Sequence, residues 1–312
     1  MTQPSSILAL LFASPTTWAE ACFSVPAVRA MLAAGLPVTV LCPAEQEAFW
    51  ETLPGLERIA YSAKTSAKAL ALQLDGRFAA AFLWEAGLAA DACAKAGVAR
   101  RTGPAGDKAL MKRLTDPVPP PAPGPMEHRV RHYLAFAETM GLDTRIAALF
   151  EPVGLEVSPS PGSVLLVPDS DFGRSHEWPL DRWEELARSL EEKGAVLTVA
   201  TDRPLGRELA GRLGESATSL ALPAFGNSLP VLAGFERVVA ADGSLPHLAS
   251  HVGATCTVLF GPNEPEWKRP LGKRHTVLRR HVECSPCFAA KCAMDLRCQR
   301  ELTVEQVSRA IG

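Results

Sequence analysis

Unbroken apolar runs alternate with alanine-rich or amphipathic segments along the chain. SILALLFA (6–13), PVTVLCP (37–43) and FAAAFLW (78–84) read as strands, while SVPAVRAMLAAG (24–35), closed by Gly35, and GLAADACAKAG (87–97) read as helices. Strands that are apolar on both faces, with helices between them, imply a parallel sheet covered on both sides.

A proline-rich stretch, DPVPPPAPGP (116–125), breaks the alternation and reads as an extended surface loop, because proline supports neither a helix interior nor a central strand. The helix EHRVRHYLAFAETMG (127–141) follows, and then EPVGLEVSPSPGS (151–163), read as a linker. Beyond it the pattern restarts: strand SVLLVP (163–168), helix PLDRWEELARSLEEKG (179–194), strand AVLTVAT (195–201), helix PLGRELAGRL (204–213), strand RVVAA (237–241), helix LPHLASHVG and strand TCTVLFG (255–261). The expected fold class is therefore α/β, with two βα domains at residues 1–155 and 156–312 facing across a cleft. In such sheets ligands sit beyond the carboxyl ends of the strands. Asp242, Asp202 and the loop Asp169–Arg174 fall at those ends.

Composition narrows the class. With 312 residues, 47% hydrophobic and 21% charged, the chain can bury a sizeable core. A net charge of -2, from 32 basic and 34 acidic residues, lacks the basic surplus of a bulk nucleic-acid binder. The first apolar run has no Lys or Arg before it and is too short to span a membrane, so it reads as the buried first strand of a cytoplasmic protein. Cys22, Cys42, Cys93 and Cys256 stand singly in apolar surroundings and read as core. Cys284, Cys287, Cys292 and Cys298 cluster late in the chain. Four thiolates within fifteen residues offer the donors of a tetrahedral structural zinc, and a reduced, metal-free cluster is the alternative.

Several separated segments carry a family resemblance. VPDSDFGRSHEWPLDRWEELA resembles the loop and helix that open the second domain of the lipopolysaccharide heptosyltransferases, glycosyltransferase family 9. ADGSLPHLASHVGATCTVLFGPNEPEWKRP is similar to the nucleotide-sugar motif of that family, and ECSPCFAAKCAMDLRCQRELTVEQV to its cysteine-containing tail. TTWAEACFSVPAVRAML and HRVRHYLAFAETMGL are similar to its first loop and helix and its domain-end helix. The resemblance implies two Rossmann-like domains of GT-B type, with the acceptor held by the first and ADP-heptose by the second. It further implies inverting transfer without a required metal, to the lipopolysaccharide inner core at the cytoplasmic face of the inner membrane, with peripheral membrane contact.

Such chemistry needs a base for the acceptor hydroxyl, partners for the leaving diphosphate and anchors for the nucleoside. The Gly243 and Ser244 amides, at a helix start after Asp242, suit an anion, and His247 lies one turn on. The family pattern gives Asp242 and His247 contacts to sugar, ribose or phosphate; the plainer reading makes Asp242 a helix cap. The order here is Asp-Gly-Ser where Asp-Ser/Thr-Gly is usual. Ser170, Arg174, Ser175 and His176 occupy the preceding loop, with Ser175 read as solvated lead-in. His176 stands where the family has Lys, and histidine is only partly charged near neutral pH, which passes the neutralising task toward Arg174.

Glu20 occupies the place of the family's Asp base. It is longer by one bond of about 1.5 Å, and it also suits the first turn of a helix. A 1 Å misplacement of a catalytic group can cost about a hundredfold in rate. Arg100, Arg101 and Lys112, in the basic run 99–114, read either as a solvated face or as a grip on an anionic acceptor. Thr201, Asp202 and Arg203 suit a ribose or adenine contact. The leading expectation is a heptosyltransferase-like enzyme. The alternatives are a related transferase with another nucleotide-sugar donor, and a family member that binds nucleotide or glycolipid without turnover.

Overall fold

The computed structural model describes residues 9–119 and 127–311. Two compact units emerge. The first ends at Leu149; the second runs from Phe150 and also takes in the short stretch ending at Arg129.

The first unit is built on a six-stranded sheet: β1 (Ala9–Ala13), β2 (Val38–Pro43), β3 (Glu57–Tyr61), β4 (Phe78–Phe82), β5 (Arg100–Pro104) and β6 (Asp116–Val118), in the order β3-β2-β1-β4-β5-β6. Every pairing is parallel, with Leu10 beside Val38 and Ala80 beside Arg100. Leu11 and Phe12 are fully buried, as expected of a strand covered on both faces. Leu11, Leu41, Ile59, Leu70, Leu74, Phe78 and Leu110 belong to one core cluster. The helix expected at 24–35 starts earlier and spans Trp18–Ala33, with Pro26 in its interior. A strand lies within the proline-rich stretch, against expectation. Asp116–Val118 pairs with β5 at the sheet edge, with Pro117 opposite Gly103, and an edge strand can accommodate proline. Residues 120–125 of that stretch lie outside the described residues.

The second unit repeats the plan with β7 (Ser160–Val167), β8 (Val196–Ala200), β9 (Thr218–Leu220), β10 (Phe235–Ala241), β11 (Thr255–Phe260) and β12 (Thr276–Arg279), in the order β12-β11-β10-β7-β8-β9. These pairings are parallel too, and β7 takes in the end of the expected linker. Helix Leu180–Glu192 buries Trp183, Leu186, Ala187 and Leu190, the 3.6-residue stripe legible in its sequence. The last helix, Val304–Ile311, sets Val304, Val307 and Ile311 into the same core.

Cys22, Cys42, Cys93 and Cys256 are buried and all eight cysteines are free. Burial pushes the Cys42 and Cys93 thiols up to about 12, which keeps them protonated packing groups. Among the described residues no helix is long and apolar enough to cross a membrane.

Candidate functional site

Each sheet has one point where the strand order reverses, and each reversal carries a cavity at the carboxyl ends of the strands. In the second unit it lies between β7 and β10. A small open pocket there is lined by Val167, Asp169 and Asp171 after β7, by Ala200, Asp202 and Arg203 after β8, by Ala241, Gly243, Leu245 and Pro246 at and after the end of β10, and by Phe225. In the first unit the reversal lies between β1 and β4. A second small pocket is lined there by Ala13, Ser14, Thr16, Tyr61, Trp84, Glu85 and the segment through Ala89.

Below the rim of the second cavity lies a buried polar cluster. Asp242 is 0% exposed and His176 3%. His176 Nδ1 donates to Asp242 Oδ2 at 2.9 Å, and Asn263 Nδ2 donates to the same oxygen at 2.6 Å. Asp242 Oδ1 is equally buried and has no hydrogen-bond partner among the described residues. A buried carboxylate oxygen left in that state is costly, so the arrangement favours a donor from outside the chain. Asp242 does not cap the following helix: that helix, Leu245–His251, has Ser244 at its cap position and no side-chain cap.

The loop before His176 folds back over this cluster. Ser170 Oγ donates to the Asp242 carbonyl at 2.5 Å and accepts from the Phe172 amide at 3.0 Å, so Ser170 clasps the loop to β10 and does not face the cavity. Asp171 Oδ1 accepts the Ser244 amide at 2.7 Å. The amide expected to hold an anion is therefore already bound to a carboxylate. Gly243 lets that carboxylate approach, since a Cβ there would stand 2.7 Å from Asp171 Oδ1. Asp169 accepts the Leu205 and Gly206 amides at 2.9 and 2.7 Å, satisfying the start of helix Pro204–Leu213.

His247 is buried at 2% exposure, and burial, aided by the fields of His128, Lys268 and His275, pushes it down to about 3; it is neutral at physiological pH. Arg174 is exposed; Asp202 is exposed on the cavity wall, 3.9 Å from Arg203. Ser175, expected in solvent, is instead buried, its hydroxyl donating to the Ala289 carbonyl.

That contact belongs to the cysteine tail. The Cys287 and Phe288 amides donate to the Pro262 carbonyl at 2.9 Å, Ser285 Oγ donates to the Gly261 carbonyl at 2.7 Å, and Gln299 Nε2 reaches the Ser175 carbonyl at 3.4 Å. The tail thus backs both loops of the site by hydrogen bonding. Cys284 and Cys287 are exposed, Cys292 half-buried and Cys298 buried. Among the described residues no three His, Cys, Asp or Glu side chains are gathered so as to hold a metal ion.

In the first unit the loop after β1 is anchored from below. Trp50 Nε1 donates to Ser14 Oγ at 3.0 Å, and Gln46 Nε2 donates to the Pro15 and Thr16 carbonyls at 2.9 and 3.1 Å. This loop leads into the first turn of helix Trp18–Ala33, where Glu20 accepts the Tyr133 hydroxyl at Oε2, 2.6 Å away. Tyr133 packs edge-on against Trp84 at 4.7 Å, and Trp84 lines the cavity; Glu85 crosses it to accept the Thr16 amide at 2.8 Å.

The basic run does not reach this edge. Arg100 and Arg101 open β5, at the amino end of the sheet. Arg100 pairs with Asp116 at 3.3 Å, while Arg101 donates to the Arg113 and Val98 carbonyls at 2.6 and 2.5 Å. Lys112 adjoins Arg113, which pairs with Asp91 at 2.5 Å. The structure therefore sets Arg100 and Arg101 at the opposite end of their strand from the end where ligands bind, and uses them to tie down strand starts; Lys112 is exposed. What the sequence did not disclose is the company around the expected residues: Asn263 and Asp171 in the second unit, Tyr133, Trp84 and Glu85 in the first. They arrive from segments far apart in the chain, Tyr133 from the helix Val130–Thr139 and the others from loops.

Comparison with known proteins follows the same residues. A family model described as glycosyltransferase family 9 (heptosyltransferase) matches residues 132–297. Lipopolysaccharide heptosyltransferase 1 of Pseudomonas aeruginosa is 33% identical over 118 residues, 37% of this chain and 33% of that protein. Lipooligosaccharide heptosyltransferase 2 of Haemophilus influenzae is 28% identical over 120 residues, 36% of this chain and 35% of that protein. The chain thus matches about a third of the length of these curated relatives. Among solved structures, E. coli ADP-heptose lps heptosyltransferase II superposes with a TM-score of 0.76 at 20% identity, covering 97% of each chain. E. coli heptosyltransferase WaaC with ADP-2-deoxy-2-fluoro heptose gives 0.70 at 18% identity, covering 97% of this chain and 99% of that one. These superpositions establish the two-domain GT-B fold.

Proposed function

This chain belongs to glycosyltransferase family 9, and from that premise we propose that it transfers heptose from ADP-heptose to a lipopolysaccharide inner-core acceptor, with inversion at the anomeric carbon. The observation that carries the reading is the cavity at the β7/β10 reversal together with the buried Asp242–His176–Asn263 cluster beneath it. Asp202, Arg203 and Gly243 line a space suited to a nucleoside. The bare Oδ1 of Asp242 suits a sugar hydroxyl, which would supply the missing donor. His176, oriented through Nδ1 by Asp242, keeps Nε2 for the donor. Neutral His247 donates or accepts one hydrogen bond without adding charge.

In the first unit Glu20 would take the acceptor proton as the new bond forms, with Tyr133 fixing its rotamer. Trp84 and Tyr61 offer aromatic faces to a sugar ring, and Glu85 a hydroxyl acceptor. No metal ion is required by this scheme; side chains carry the charge. The acceptor would be met at the cytoplasmic face of the inner membrane, by peripheral contact.

A specific contact supports the binding-only alternative: Asp171 occupies the Ser244 amide and would have to yield it to a diphosphate. Turnover decides. ADP should raise the melting temperature more than UDP or GDP do. ADP-heptose with a core acceptor should give product that Glu20→Gln abolishes. Stabilisation by UDP or GDP in place of ADP would indicate another donor, and ADP stabilisation without turnover would indicate the binding-only role.

A further inference from the structure

A nucleoside diphosphate brings two or more negative charges to the β7/β10 edge and gains another as the sugar departs, so the edge needs a fixed cation. The groups nearest the cavity supply little. Asp169, Asp171 and Asp202 line it, and Arg203 stands 3.9 Å from Asp202. His176 shares its Nδ1 proton with Asp242, and His247 is neutral.

Lys268 differs from all of these. It ends the short helix Pro265–Lys268 in the loop after β11, and its half-buried ammonium lies over two aromatic faces, 5.4 Å from the Phe172 centroid and 5.1 Å from that of Trp267. Phe172 also packs edge-on against the His176 imidazole at 5.7 Å, so ammonium and imidazole flank one ring. Three arginines of the neighbouring strand and tail have carboxylate partners: Arg279 with Glu264, Arg280 with Glu301, and Arg297 with Asp295 and Glu283. Among the described residues Lys268 has no carboxylate within 4.0 Å. Two ring faces hold the stem in place while leaving the charge unspent, which suits an anion that comes and goes.

We propose that Lys268 is the residue whose charge holds the donor diphosphate at this edge, an assignment that rests on the nucleoside-diphosphate donor read above. The rival is that its ammonium merely clamps Phe172 and Trp267 together.

Titration calorimetry with ADP and with adenosine separates the two. Lys268→Met keeps an unbranched stem between the rings and removes the charge. It should weaken ADP about thirtyfold, the loss typical of deleting one partner of a close charge pair, and leave adenosine within about twofold. Lys268→Arg should hold ADP within about threefold, and Arg174→Met, which deletes the exposed guanidinium of the loop that carries Phe172, should do less harm than Lys268→Met. ADP binding unaffected by Lys268→Met, or equal losses of ADP and adenosine, would overturn the assignment. Should Lys268→Met fail to fold by circular dichroism, Lys268→Gln is judged by the same criteria. If the wild-type protein prefers UDP to ADP, the ADP-heptose reading fails, and Lys268 is judged on UDP against uridine. Binding of no nucleoside diphosphate at all would overturn both.

Discussion

Tyr133 donates its phenolic proton to Glu20 Oε2 at 2.6 Å and packs against Trp84 at 4.7 Å, so one side chain joins the candidate base to the wall of the first cavity. A base must be held to within fractions of an ångström, and a glutamate has one more rotatable bond than an aspartate to be fixed. Tyr133→Phe keeps the ring packing and removes only that hydrogen bond. We expect kcat to fall about tenfold with KM for ADP-heptose unchanged and the melting temperature lowered by a few degrees at most; initial-rate kinetics check it, and an unchanged kcat would remove Tyr133 from the mechanism. Asp242 could be found in the sequence because it directly follows an apolar strand end, whereas Glu20 and His176, farther from theirs, were legible only through the family motifs they resemble. Their partners could not. Asn263 lies 21 positions from Asp242, and Tyr133 lies 113 from Glu20. Only the fold brings such pairs together, and no local periodicity marks them.

At the scale of elements, strands buried on both faces were readable and peripheral strands were not. β1 and β4 are continuous apolar runs, and β10 ends in one, Val238–Ala241. β5 reads Arg-Arg-Thr-Gly-Pro and β6 Asp-Pro-Val, polar sequences whose strand state comes from pairing with a neighbour already in place. One helix position controls a cavity wall. A Cβ at Gly206 would lie 1.8 Å from the Ala200 carbonyl oxygen, so helix Pro204–Leu213 can sit this close to β8 only with glycine there. The same residue gives its amide to Asp169. Gly206→Ala must push the helix start from the strand end. We expect a loss of about 2–3 kcal/mol in urea unfolding, in the range of core overpacking, together with weaker ADP binding as the Asp169–Asp202 wall opens. Full stability in that variant would mean the helix start is freer than its packing indicates.

Over the whole molecule, the near-neutral balance of charge conceals an acid sensitivity built into the second unit. Burial pushes His247 down to about 3 and His275 down to about 4; His275 Nδ1 also accepts the Cys256 amide at 3.1 Å, a bond that protonation at Nδ1 would break. Both therefore fold as neutral rings, whereas in the unfolded chain they titrate near the ordinary histidine value of about 6.5. Between that value and the folded ones the unfolded state binds more protons, so stability is complete above about pH 6.5 and falls as the pH drops toward 4. Each ring contributes a slope of up to roughly 1.4 kcal/mol per pH unit in that window. Glu138 and Asp295, held low by arginine hydrogen bonds, and Glu283, held low first by a backbone amide and then by Arg297, lose their contribution only below the ordinary carboxylate range. Glu177, raised by burial, acts with the opposite sign just above it. The window from pH 6.5 to 5 thus belongs mainly to the two histidines. Urea unfolding across it should give a stability that declines with acidification in the wild type, and a visibly shallower decline in His275→Asn, whose side chain keeps an acceptor for the Cys256 amide but cannot take up the proton. Equal slopes in the two proteins would show that His275 is already protonated in the folded state.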